Sequence, residues 1–166
     1  MATVIHGDGL DSFDFSKSYK WKLKKHNPDW EQDHPKFDLV LSNPPYSVSA
    51  FKGNLDSDKA LKDFDLFDGL SDRSSEIECL FIERTKQLLK EWGIAALVLP
   101  SSILSNSGIY TKAREIILRN FDIISIVSLG SGTFMATGTN TVTVFMRKRN
   151  KYFARNLQAS INIFFT

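Results

Sequence analysis

Residues 37 to 46 read FDLVLSNPPY, an apolar run stopped by an asparagine, two prolines and a tyrosine. The run FDLVLS is bounded by turn formers, and it predicts a strand covered on both faces, as in a parallel sheet. Each proline then fixes its own backbone and holds the residue before it in extended geometry. Asn43 and Pro44 therefore leave the strand along a stiffened path that no helix can follow. Ligands of open α/β sheets sit beyond the carboxyl ends of parallel strands, which is where Asn43 falls.

These residues admit two readings. In the plainer one the prolines end a strand and Tyr46 packs against a neighbour. In the chemical one the Asn43 side-chain oxygen and the Pro44 carbonyl, whose peptide Pro45 fixes, form a pair of preorganised acceptors that cannot become charged. Such a pair suits a planar amino group whose lone pair is delocalised. Accepting both N–H bonds localises the lone pair for attack on an electrophilic carbon without a strong base. Tyr46 would stack on the attached ring, a contact worth roughly 1–3 kcal/mol per base on aromatic platforms.

The rest of the chain frames this strand. Residues 2 to 5 are β-prone and run into HGDGLDSF, where Gly7 and Gly9 flank Asp8 in a turn. Residues 17 to 34 are basic, broken by Pro28, and read as a loop or insertion; residues 47 to 74 read as a second irregular segment or flap. Ser75 and Glu78 stand in capping-box spacing before a helix carrying Ile77, Leu80, Phe81, Leu88 and Trp92, with Gly93 placed to end it. IAALVLP is a second buried strand stopped by Pro100. YTKAREIILRNF is a helix, IISIVSL a third strand, and TVTVFMRK a fourth with one wetter face. The order predicts an α/β sheet, mostly parallel, with a final hairpin-like antiparallel strand.

Composition narrows the class without naming the function. The 166 residues suffice for one domain, and no apolar run approaches the ~20 residues of a membrane span. A net charge of +2 does not announce a nucleic-acid binder, so phosphate contacts would have to come from local clusters. Lys20, Lys22, Lys24 and Lys25, interleaved with Tyr19 and Trp21, form one cluster, and Arg147, Lys148, Arg149, Lys151 and Arg155 another; either is a candidate for DNA phosphate or simply a solvated stretch. Cys79 excludes an internal disulfide, fits a reducing cytoplasm and reads as a core residue. His6, His26 and His34 lack metal-ligand spacing, and no metal site is expected.

FDLVLSNPPYS, FIERTKQLLKEWGIAALVLPSSIL and VSLGSGTFMATGTNTVTVFMRK occur in the order of a known family. Over residues 37 to 148 the chain resembles the N6-adenine DNA methyltransferases, most closely the modification subunits of type I restriction-modification systems. The resemblance implies a Rossmann-like fold, S-adenosylmethionine as cofactor, and methyl transfer to the adenine amino group of DNA turned out of its duplex. It also implies a separate specificity subunit that reads the DNA sequence, and a restriction subunit, as partners. By the same resemblance Asn43, Pro44, Pro45 and Tyr46 form the catalytic loop, with Tyr46 stacking on the base and Asn43 also near the cofactor. Phe134 matches the aromatic that approaches the base from another side; its alternative is a core Phe in a turn. Asp8 is similar to the acidic residue that holds the cofactor adenine; its alternative is a turn-capping Asp.

The chain departs from the family in one respect. The glycine-rich cofactor loop with its preceding acidic residue, and the acidic residue for the cofactor ribose, have no counterpart in the sequence. Gly7 and Gly9 are not followed by a helix pattern. The apolar INIFFT at the end would also leave an open edge. We therefore expect a single partial catalytic domain over residues 1–166, the C-terminal part of the full fold, inactive in isolation. The same loop type also occurs in methyltransferases of release-factor glutamine and of ribosomal RNA, and a non-catalytic remnant is the reading of a different class.

Overall fold

A computed structural model describes residues 6–11, 37–55, 63–130, 133 and 139–150. The expectations for residues 17 to 34, for Lys20, Lys22, Lys24 and Lys25, for Phe134 and for INIFFT lie outside these residues.

The elements are β1 (Phe37–Ser42), α1 (Glu78–Leu88), β2 (Leu89–Pro100), α2 (Ile109–Asn120), β3 (Phe121–Leu129) and β4 (Thr141–Lys148). They form one sheet in the order β1-β2-β4-β3. β1 is parallel to β2, and β4 is antiparallel to both β2 and β3. Three strands thus run one way and β4 alone opposes them. The sequence reading anticipated the antiparallel pairing of β3 with β4, but not the insertion of β4 between β2 and β3.

Both crossovers, β1-α1-β2 and β2-α2-β3, step in the same direction across the sheet. Right-handed connections then place both helices on one face, and α1 and α2 indeed pack against each other. The core lies between these helices and the sheet. Leu80 and Ile82 of α1 meet Ala95, Leu97 and Leu99 of β2, Val142, Val144 and Met146 of β4, and Ala113 and Ile117 of α2. Each large side chain buried there contributes about 1.5–3 kcal/mol. No helix among the described residues is long and apolar enough to cross a membrane.

On the opposite face no element among the described residues covers the sheet. Register places Leu41 beside Ala96, Ala96 beside Phe145, and Thr143 beside Val127 on that side. Leu39, Leu41 and Val127 are 54%, 69% and 46% exposed. This corrects the expectation for FDLVLS: among the described residues β1 is an edge strand, and of its side chains Val40 packs against the core.

Two local readings also change. The helix stops at Leu88, so Trp92 is not on its apolar side; it lies in β2, exposed and with φ 65°. Gly93 is required by close approach and not as a helix terminator, because a Cβ there would lie 2.9 Å from Leu89 Cγ and 3.0 Å from the Asp38 carbonyl. The capping box does not form either. Ile77 is the N-cap with no side-chain cap bond, and Glu78 turns inward to accept from the Tyr110 hydroxyl at 2.7 Å.

The described parts of residues 47 to 74 are irregular but well anchored. Two 3-10 turns, Phe51–Asn54 and Phe67–Gly69, plant Phe51, Phe64, Leu66, Phe67 and Leu70 in the core. Consequently α1 is covered on both sides, by the sheet and by these segments. That explains why Glu78, Glu83, Arg84 and Thr85 are buried along with Cys79 and Leu80.

Candidate functional site

β1 ends at Ser42, opposite Leu97 of its parallel neighbour, and the chain then leaves the sheet at the carboxyl end of both strands. Asn43 is exposed, and its side chain has no hydrogen-bond partner among the described residues. Pro44 is buried, Pro45 exposed and Tyr46 half-buried. No backbone donor among the described residues reaches the Pro44 carbonyl. Among the described residues, nothing therefore uses the two oxygens singled out in the sequence.

The residues after Tyr46 hold this loop still. Ser47 and Ala50 adopt left-handed backbone, φ 57° and 54°, a conformation that costs non-glycine residues energy and persists only when neighbours enforce it. The Val48 N–H donates to the Ser75 carbonyl at 3.1 Å. Phe51 is buried, and Lys52 Nζ donates to the Leu70 carbonyl at 2.6 Å. A loop tied at its strand end, middle and far end needs little reorganisation when a ligand arrives.

Asp8 sits in an exposed turn whose geometry matches its plainer reading in part. Its Oδ1 accepts from the Leu10 N–H at 2.9 Å, and its carbonyl accepts from the Asp11 N–H at 3.1 Å. The turn rests on α1. A Cβ at Gly9 would come within 2.9 Å of the Phe81 ring, and the Arg84 guanidinium donates to the Leu10 and Asp11 carbonyls at 3.1 and 2.9 Å. Arg84 is itself buried and lies over the Phe64 ring. A buried guanidinium is tolerated only with such partners.

The 43–48 segment is thus held by the Ser75 carbonyl, three residues before α1, and the Asp8 turn by Phe81 and Arg84 on α1. Glu78 and Arg84 are about 9 Å apart along the axis at the helical rise. Burial raises the Glu78 carboxyl above the ordinary carboxylate range. The hydrogen bond from the Tyr110 hydroxyl opposes that rise, while Glu76 adds to it. Burial likewise raises Glu83, against hydrogen bonds from the Asp65 and Leu66 N–H groups at 2.7 and 3.1 Å. Sequence reasoning missed Glu78, Glu83, Arg84 and Tyr110. The available signal was ECLFIER, which leaves its helix no wholly polar face.

The second basic cluster is partly spent on structure. Lys148 Nζ donates to the Lys86 and Leu89 carbonyls at 2.6 and 2.7 Å, closing the end of α1, and Arg149 pairs with Asp122 at 2.7 Å. Arg147 remains exposed.

The fold is that of S-adenosylmethionine-dependent methyltransferases: a class I S-adenosylmethionine-dependent methyltransferase of Listeria monocytogenes superposes with a TM-score of 0.57 at 21% identity, over 72% of this chain and 34% of that one. The type I restriction-modification methyltransferase subunit of Streptococcus thermophilus superposes with a TM-score of 0.55 at 25% identity, over 75% of this chain and 26% of that one. The profile of the family described as N-6 DNA Methylase matches residues 1–165, and the chain belongs to that family. Among relatives, the type II methyltransferase M.CvrRI of Paramecium bursaria Chlorella virus XZ-6E is 32% identical over 126 residues, covering 75% of this chain and 30% of its own. The type I restriction enzyme EcoEI methylase subunit of Escherichia coli is 28% identical over 127 residues, covering 76% and 23%. The chain therefore spans less than a third of the length of these relatives.

Proposed function

We propose that this chain is the base-handling part of an adenine-N6 DNA methyltransferase of a restriction-modification system. The observation that carries the reading is the exposed Asn43 side chain, without a hydrogen-bond partner among the described residues, beside the buried, proline-fixed Pro44 at the carboxyl end of β1. In the complete enzyme Asn43 Oδ1 and the Pro44 carbonyl accept the two N–H bonds of the adenine amine, and Tyr46 stacks on the ring of a base turned out of the duplex. Phe134 is assigned the other side of the base. The amine becomes nucleophilic through orientation and lone-pair localisation, so no residue need act as a strong base.

S-adenosylmethionine supplies the methyl group as an electrophilic sulfonium. Its cradle is incomplete here: Asp8 is the one candidate for the cofactor adenine, Asp8 Oδ1 already accepts the Leu10 N–H, and the sequence holds no glycine-rich loop. We accordingly assign activity to a complete methylase domain and none to the 166 residues alone. The likeness to type I methylase subunits supports DNA, a specificity subunit and a restriction subunit as partners, in the cytoplasm. Lys20, Lys22, Lys24 and Lys25 remain candidates for the DNA phosphates.

Asn43→Ala in the complete methylase tests this reading. Removing one preorganised partner is expected to lower turnover by about 10²-fold or more while cofactor affinity stays within about twofold. Methyl incorporation into unmethylated DNA measures the first and calorimetric titration the second. A fully active Asn43→Ala enzyme would refute the assignment.

A further inference from the structure

Among the described residues β3 is an edge of the sheet, paired with β4 on one side. Proteins ordinarily blunt such edges with a charge, a proline or a covering segment. The edge at β1 has these devices: the strand is six residues long, Asp38 pairs with Lys90 at 2.9 Å, and the chain runs on into Pro44. β3 is nine residues long, and from Ile123 to Leu129 it carries neither a charge nor a proline. Beside it, on the helical face, an apolar groove opens between α2 and the sheet, lined by Leu104, Ile117, Leu118, Ile123, Ile126 and Val144. Leu104, Leu118, Ile123 and Ile126 are exposed. Arg114, also at the groove, donates to the Ile103 and Asn106 carbonyls at 2.9 and 2.8 Å, so its guanidinium is already engaged.

An edge next to such a groove suits an extended, uncharged segment with an apolar side chain at every second residue. Residues 161–166, INIFFT, are uncharged, and Ile161, Ile163 and Phe165 would share one face of a strand. Their tether has the right origin. Just past β4 the Arg149 N–H donates to the Asn120 carbonyl at 2.8 Å, beside the start of β3. The free side of β3 is two strand spacings from β4, about 10 Å. Residues 151–160 can span up to ~33 Å, which covers that step with slack. A strand entering at the Phe121 end runs parallel to β3; an antiparallel one would first have to travel the ~30 Å length of β3. We propose that residues 161–166 add to the free edge of β3 as a parallel strand, with Ile161, Ile163 and Phe165 in the groove against Leu118 and Ile126. Two apolar edges, that of β3 and that of INIFFT, thereby cover each other. This docking does not depend on the base-binding reading of Asn43 and Tyr46.

The experiment uses the full 166-residue chain. Nuclear Overhauser contacts from the Phe165 ring to the Leu118 and Ile126 methyl groups are expected in uniformly labelled protein. In an isotope-filtered mixture of labelled and unlabelled chains, which reports contacts between copies alone, they are expected to vanish. Their absence from the first sample overturns the proposal, and their presence in the second overturns it in favour of a second copy as the occupant. Amide exchange at a few micromolar chain gives an independent readout. In Ile163→Asp the β3 amides directed away from β4 should exchange about tenfold faster while β2 keeps wild-type protection, and Ile163→Val should stay within about twofold of wild type. Unchanged β3 exchange in Ile163→Asp overturns the docking, as does equal acceleration throughout β2, the mark of a general loss of stability.

Discussion

Asn43, Pro44 and Tyr46 could be singled out from sequence because their constraint is covalent: a proline restricts its neighbour in any fold. Glu78 could not. Its spacing from Ser75 imitates a helix cap, and the Tyr110 hydroxyl that draws it inward is 32 residues away. The raised pKa values of Glu78 and Glu83 have a measurable consequence for stability. Both groups hold protons more tightly when folded than when unfolded, where a glutamate titrates near pH ~4.3. Their stabilising share is thus complete below that range and is lost as pH rises through the raised values. Glu78→Gln cannot titrate, so its urea midpoint should gain on the wild type between pH 4 and pH 8. A gap that does not change with pH would contradict the raised value.

At the scale of elements, helical and alternating periodicity located α2 and β4 closely, since both keep one face on the core. The junction of α1 and β2 was misjudged. Leu88 and Trp92 continue a helical spacing, but Leu89 is drawn into the core and pairs with Phe37, so the strand begins there. Gly93 then lets β2 pass close to the Asp38 carbonyl. Gly93→Ala should cost about 1–3 kcal/mol, as overpacking does. Equilibrium urea unfolding measures it, and a neutral substitution would show that β1 and β2 separate freely at this point. The same element scale explains the basic cluster: Lys148 looked like a phosphate ligand in the sequence and serves as the C-terminal closure of α1.

For the molecule as a whole, the class of fold was legible from the alternation of strands and helices, but strand order was not, because nothing local tells a fourth strand which two neighbours to choose. The sheet face left uncovered by the described residues is also a global property. Leu39, Leu41, Ile124 and Val127 are exposed on a sheet that has one helical layer among the described residues. The isolated chain is expected to sediment above its monomer mass at tens of micromolar, and Leu41→Glu to shift it toward the monomer. A monodisperse wild-type monomer would show that this face is innocuous.

The place of β4 bears on how the chain is made. The strand that joins β2 to β3 is the last of the four in sequence, so a ribosome releases β2 some forty residues before its permanent neighbour exists. Until Thr141–Lys148 emerges, Leu97 and Leu99 sit in a nascent sheet with one side unzipped, and β3 has no strand to hold among the described residues. Synthesis thus carries a vulnerable interval, closed by a single late insertion that locks both halves together.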